Sequence, residues 1–201
     1  ATVAVSILVA VFASLTSFEL ASRIDSAQGA AGRYWLAGSG FVLGLGIWSM
    51  HFIGMLAFSL PIPIGYDIAM TAGSLLISVA GALLALRIAC RPQLSAGMLA
   101  LGAVLMGGAV LAMHFTGMAA MRMAPGIVYL PSRLAAAAAI AIGCSALALW
   151  MAHWVRRQAR RKLRDRLAAA SVMAAAVCGM HYMGMSAAMF PADSVCLAAV
   201  D

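Results

Sequence analysis

The sequence predicts an all-α polytopic transmembrane helical bundle, and three observations carry that expectation. Of 201 residues, 65% are hydrophobic and only 9% charged, whereas a soluble domain is roughly 45–50% apolar and about 25% charged. The mean hydropathy is +1.01, and the apolar residues fall in runs of about 20, the length that crosses a hydrocarbon core as a helix. Hydrocarbon offers the backbone no hydrogen-bond partners, so such runs must satisfy their amides internally.

Punctuation by proline, glycine and charge divides the chain into six predicted spans, at about 1–22, 34–60, 68–90, 94–122, 133–155 and 167–190. The first lacks a basic leader region and is too long for a signal-peptide core, so it reads as a span. The breaks are Arg23 to Arg33, Pro61-Ile62-Pro63, Arg91-Pro92, Ala124-Pro125-Gly126 through Pro131, and the basic stretch Arg156 to Arg166. None has room for a soluble domain, so residues 1–201 form one domain.

The net charge of +7 sits mostly in short loops between spans, which argues for topology and against nucleic acid. Eleven of the 13 basic residues lie in the loops joining spans 1–2, 3–4 and 5–6. Basic loops stay on the cytoplasmic side, so both termini are expected outside, and spans two, four and six run outward. Cys90, Cys144, Cys178 and Cys196 contain no C-x-x-C pair, which indicates neither a disulfide framework nor a zinc ribbon.

The chain repeats itself. The segments Gly46–Met55, Ala109–Met118 and Ala176–Met185 align without gaps on a Met-His-x-x-Gly-Met pattern. They place His51, His114 and His181 at matching positions on the even-numbered spans, each followed by Pro61, Pro125 or Pro191. Three helical-hairpin repeats, approximately 1–60, 68–122 and 133–190, follow. The histidines are expected in the outer half of the bilayer.

In each copy the histidine and the second methionine are four residues apart and share a helical face. Three imidazoles and the thioethers of Met55, Met118 and Met185 therefore converge, with Met50, Met113 and Met180 as weaker candidates. Imidazole suits copper, zinc, iron or nickel, and thioether singles out Cu(I). The intervening Gly54, Gly117 and Gly184 allow neighbouring helices to approach closely.

A lone intramembrane histidine is as readily a hydrogen-bonding core residue as a ligand; three at one depth favour function. Any single methionine among the 15 is more readily packing than ligand, and that holds for Met121 and Met189. Cys178 has no counterpart in the other two copies. Glu19 is expected to pair with Arg23 one turn on, His153 to join a headgroup belt, Asp67 and Arg122 to be interfacial, and the 156–166 stretch to meet anionic lipid.

At Met50-His51-Phe52-Ile53, Met113-His114-Phe115-Thr116 and Met180-His181-Tyr182-Met183 the sequence resembles the MHYT domain, a bacterial integral membrane sensory module named for Met-His-Tyr-Thr. Met and His agree in all three copies; Thr appears in the second alone. The resemblance implies a non-enzymatic sensor in the bacterial inner membrane that binds copper, as Cu(I) or Cu(II), through His51, His114, His181, Met55, Met118 and Met185. It also implies sensing of oxygen, carbon monoxide or nitric oxide, with output through a cytoplasmic domain of the same chain, often one that turns over cyclic di-GMP. A seventh span leading to that domain is then expected, and homodimerisation is left open. The competing classes are a copper transporter or carrier, which needs soft ligands along a path to the inner side, and a membrane copper oxidase.

Overall fold

The computed structural model describes residues 1–24, 27, 30–157 and 163–199. Among these are six helices, each long and apolar enough to cross a membrane: α1 (Thr2–Ala21), α2 (Ala31–Met55), α3 (Ile68–Ala89), α4 (Ala96–Ala119), α5 (Pro131–Arg157) and α6 (Leu163–Ala187). Local chemistry starts several of them. The Asp67 side chain accepts the Met70 amide at 2.9 Å to cap α3, and Ser95 accepts the Met98 amide at 3.2 Å to cap α4. Pro131 opens α5, where its missing N–H costs nothing.

The helices form a closed ring in chain order, with α1 packed on both α2 and α6. Helices α2, α4 and α6 also touch one another across the centre, so the three repeats are arranged about a common axis. Faces turned inward carry small side chains, such as Ser6, Ala10, Ser14 and Ser17 on α1 and Ala137, Ala141 and Ala148 on α5, which permit close helix contact. Faces turned outward carry Leu8, Phe12, Leu76, Leu84, Val104 and Trp150, as suits a lipid-facing surface. Buried hydroxyls are satisfied between helices: Ser39 Oγ donates to the Ser17 carbonyl at 2.7 Å, and Ser78 Oγ to that of Gly44 at 2.8 Å.

Helices α2, α4 and α6 stop at Met55, Ala119 and Ala187, short of the expected 60, 122 and 190. The residues beyond them give their backbone to a cap over the histidine end. Met123–Ala124 (β1) pairs antiparallel with Val195–Cys196 (β4), and Val128–Tyr129 (β2) with Ala188–Met189 (β3). Asp67 N–H donates to the Ala120 carbonyl at 2.8 Å. Met121, Cys196, Phe58, Ile62, Tyr66 and Phe190 fill the cap interior with Met55 and Met118. Hydropathy cannot separate an apolar helix in lipid from an apolar loop folded over a bundle end, which is why the expected spans overran.

At the other end, which carries the basic loops, α5 and α6 extend past the expected limits of 155 and 167 with Arg156, Arg157 and Leu163–Arg166 still helical. Glu19 pairs with Arg166 of α6, not with Arg23, whose guanidinium lies over the Trp35 ring 5.1 Å from its centroid. A contact between the ends of α1 and α6 displaces the local i,i+4 pair because the ring of helices closes there. His153 reaches inward: its Nδ1–H donates to the Ala89 carbonyl at 2.9 Å. Part of the 156–166 stretch, residues 158–162, and residue 201 lie outside the described residues. The four cysteines are free.

Candidate metal centre

The three registered histidines meet on the axis. His51, His114 and His181 are buried to within 1% exposure, and their Nδ1 atoms lie 3.1, 3.1 and 3.3 Å apart. The rings stand nearly perpendicular to one another, with interplanar angles of 84–89°. Three copies of one sequence on three helices at equal depth generate this near-threefold arrangement.

Hydrogen bonding cannot satisfy all three contacts. An imidazole nitrogen carries either a proton or a lone pair, so it donates or accepts but does not do both. Among three nitrogens in mutual contact, two must share a role, and at least one contact is lone pair against lone pair or N–H against N–H. A cation resolves the conflict by taking three lone pairs at once. The centre of a triangle with these sides lies about 1.8 Å from each corner, close to the roughly 2.0–2.1 Å of a metal–imidazole bond. The donor set therefore fits a metal ion.

Metal ligation through Nδ1 leaves the proton of each ring on Nε2, and these atoms are buried without a hydrogen-bond partner. Each rests on a glycine of the next repeat: His51 on Gly117, His114 on Gly184 and His181 on Gly54. A Cβ on any of the three would lie closer than 3.0 Å to the imidazole. The glycines thus form a cyclic clasp, seating the neighbour's ring rather than simply bringing backbones together.

The methionines sandwich this layer. Met50, Met113 and Met180 have no exposure and belong to the bundle core with Leu43, Ile47, Met106, Val110 and Met173. Met55 and Met118 belong to the cap cluster, with Met185 packed against it. Met121 joins that cluster with no exposure, whereas Met189 is exposed. Cys178 lines a groove between α1 and α6 with Ile7 and Val11.

Sequence reasoning missed the residues that brace the motif aromatics. Phe52, Phe115 and Tyr182 each meet the adjacent histidine edge-on, with centroids 4.8 Å apart. Phe52 is backed by Tyr66 at 5.2 Å and Phe115 by Tyr129 at 5.1 Å, while the Tyr182 hydroxyl bonds Ser6 Oγ at 2.8 Å. Tyr66 and Tyr129 both stand fifteen residues after a motif histidine, so extending the repeat alignment through the loops would have found these two, but not Ser6. Burial, and for Tyr66 also neighbouring Cys196, raises both phenols above their usual value of 10.0, keeping them neutral.

Six apolar helices around a buried three-histidine centre define a polytopic helical protein with the donor set of a metal site. The chain belongs to the MHYT family, described as a bacterial signalling protein N-terminal repeat, whose model matches residues 44–102 and 107–165. It is 51% identical to the bifunctional diguanylate cyclase/cyclic di-GMP phosphodiesterase MucR of Pseudomonas aeruginosa over 98% of this chain and 29% of the relative. It is 38% identical to the cyclic di-GMP phosphodiesterase NbdA of the same species, over 92% of this chain and 24% of the relative. Identity to the signaling protein YkoW of Bacillus subtilis is 32%, over 95% and 24%. The chain thus spans less than a third of the length of these relatives. No solved structure matches it.

Proposed function

We propose that this chain is a membrane sensory input domain that holds copper at His51, His114 and His181 and passes its state to cyclic di-GMP turnover in an output domain. The convergence of three imidazole nitrogens in a contact that hydrogen bonding cannot satisfy carries this reading. Cu(I) is the ion favoured by imidazoles set between thioether layers. Met55, Met118 and Met185 are the better-placed soft ligands, on the face each shares with its histidine, and Met50, Met113 and Met180 line the core side. Copper bound there would supply a coordination position for a diatomic gas, O2, CO or NO. The similarity to MucR, a diguanylate cyclase/cyclic di-GMP phosphodiesterase, and to NbdA, a cyclic di-GMP phosphodiesterase, supports the output assignment.

A sensor is favoured over a transporter by the packing toward the basic end. There the axis is filled by Leu43, Ile47, Val110 and Val177, and Met106 and Met173 are spaced thioethers rather than a continuous ladder. The basic loops support a cytoplasmic location for that end and an inner-membrane placement, with the histidine cap facing out.

Metal analysis of the purified protein and of His51→Ala, His114→Ala and His181→Ala tests the reading. Near-stoichiometric copper, lost in each variant, is expected, with a carbonyl stretch when CO meets the reduced protein. Undiminished copper in His114→Ala would refute a shared site. Copper without CO binding would point to sensing of copper itself.

A further inference from the structure

The three histidines are fully buried, so an ion that binds them has to cross either the packed axis or the cap. Beyond Met50, Met113 and Met180 the axis toward the basic end is mainly aliphatic, with Met106 and Met173 set among Leu43, Ile47 and Val110. The cap is richer in sulfur: Met55, Met118, Met121 and Cys196 are buried together there, and Met123 and Met185 pack against them. These groups are linked in order. Met123 stands opposite Cys196 in the β1–β4 pair. The Cys196 thiol donates to the Met121 carbonyl at 2.9 Å and accepts the Gly65 N–H at 3.4 Å, which holds its sulfur beside the end of α4. The Met121 N–H donates in turn to the Met118 carbonyl at 3.3 Å, and Met118 lies four residues after His114, on the same helical face. At the outer surface a cavity of about 120 Å³ opens between Pro61, Ile62, Phe190 and Pro191, and Met123 lines it. Cys196 breaks the repeat, since fifteen residues after the histidine the first two copies carry Tyr66 and Tyr129.

We propose that these sulfur groups form a loading route by which Cu(I) reaches the histidines from the cap end: Met123 takes up the ion at the cavity, and Cys196 and Met121 hand it on to Met118. A bare cation is strongly disfavoured in an apolar cap, whereas soft sulfur ligands hold Cu(I), so each one lowers the barrier to passage. The route uses sulfur lone pairs throughout. The Cys196 proton stays on its bond to the Met121 carbonyl, and no electron moves. The sulfur path leads to the histidines and thins out beyond them, which suits loading of a resident ion rather than transport across the membrane. This inference rests on the metal reading and adds to it the side and the residues of entry.

The test uses the intact metal-free protein in lipid vesicles, with Cu(I) supplied outside as a coloured, membrane-impermeant bicinchoninate chelate whose loss of colour reports transfer. Met121→Leu and Met123→Leu conserve side-chain volume and remove the sulfur. Each should slow loading about tenfold, the effect of one lost ligand contact on the barrier, while copper bound at equilibrium stays at the wild-type level. Met189→Leu, at an exposed methionine of the same cap, should load at the wild-type rate. A wild-type rate in either Met121→Leu or Met123→Leu, with copper bound, overturns the route and leaves the metal centre standing; no copper at equilibrium in the unaltered protein removes both. In vesicles of the unaltered protein, molecules whose cap faces the chelate should load, and those inserted the other way, marked by protease cleavage within the 156–166 stretch, should not. Native mass spectrometry assigns the copper to cut or uncut molecules, and loading of the cut ones overturns the route irrespective of how the variants fold.

Discussion

Replacing Gly117 by alanine tests the clasp directly. The added methyl would stand closer than 3.0 Å to the His51 imidazole, whereas carbon contacts settle at about 3.5–4.0 Å. The ring must therefore retreat by roughly 1 Å, since the opposing backbone of α4 is fixed in a packed helix. Overpacking of this kind costs about 1–3 kcal/mol. A displacement of that size also pulls one corner of the nitrogen triangle, 3.1–3.3 Å on a side, outside the ~0.2 Å tolerance of a metal–ligand distance. Copper affinity should fall about 10–100-fold, as when an orienting partner of a ligand is lost. Chelator competition on the reduced protein measures this, with circular dichroism confirming that the helices persist. Gly108→Ala on the same helix is the control, because a Cβ there meets nothing within 4 Å. Wild-type copper affinity in a folded Gly117→Ala protein would refute the clasp.

Three further outcomes are expected. Met118→Leu conserves volume at a fully buried position, so the fold should be kept within about 1.5 kcal/mol while the preference for Cu(I) over Zn(II) in competitive titration shrinks; an unchanged preference would exclude Met118 as a ligand. Tyr66 and Tyr129 have folded-state pKa values raised above 10.0, so their contribution is intact below pH 10 and is lost as pH climbs through the raised values. Alkaline melting curves of Tyr66→Phe/Tyr129→Phe should flatten in that range, and curves that fall as steeply as wild type would contradict it. Glu19→Gln removes an ion pair whose side chains are 40% and 26% exposed, so solvent screening limits the loss to below about 1 kcal/mol, and a larger drop in thermal stability would mean that the pair organises the basic end.

Much of the architecture was legible in the chain because lipid imposes a simple rule. Apolar runs of helical length must be helices, and the regular recurrence of Met-His-x-x-Gly-Met fixed three equivalent hairpins with their histidines in register. Equal register on the three helices that run in the same direction left the imidazoles few ways to avoid one another, so the centre itself was foreseeable. Other features depended on contacts between residues far apart in sequence. Glu19 left its local partner for Arg166, 147 residues away, because ring closure brings α1 against α6. The even-numbered helices stopped early because inter-loop hydrogen bonds outcompeted further helical turns. Which ring nitrogen faces the axis, and that a glycine of the next repeat seats each ring, followed from how the three helices pack.

By itself the sequence determined the six apolar helices, the threefold repeat and the residues with metal-binding chemistry, since burial in hydrocarbon and covalent spacing are properties of the chain. Only the tertiary structure decided the cap, the long-range ion pair and the convergence of Nδ1 atoms, because each depends on helix contacts set by small side chains distributed over the whole chain.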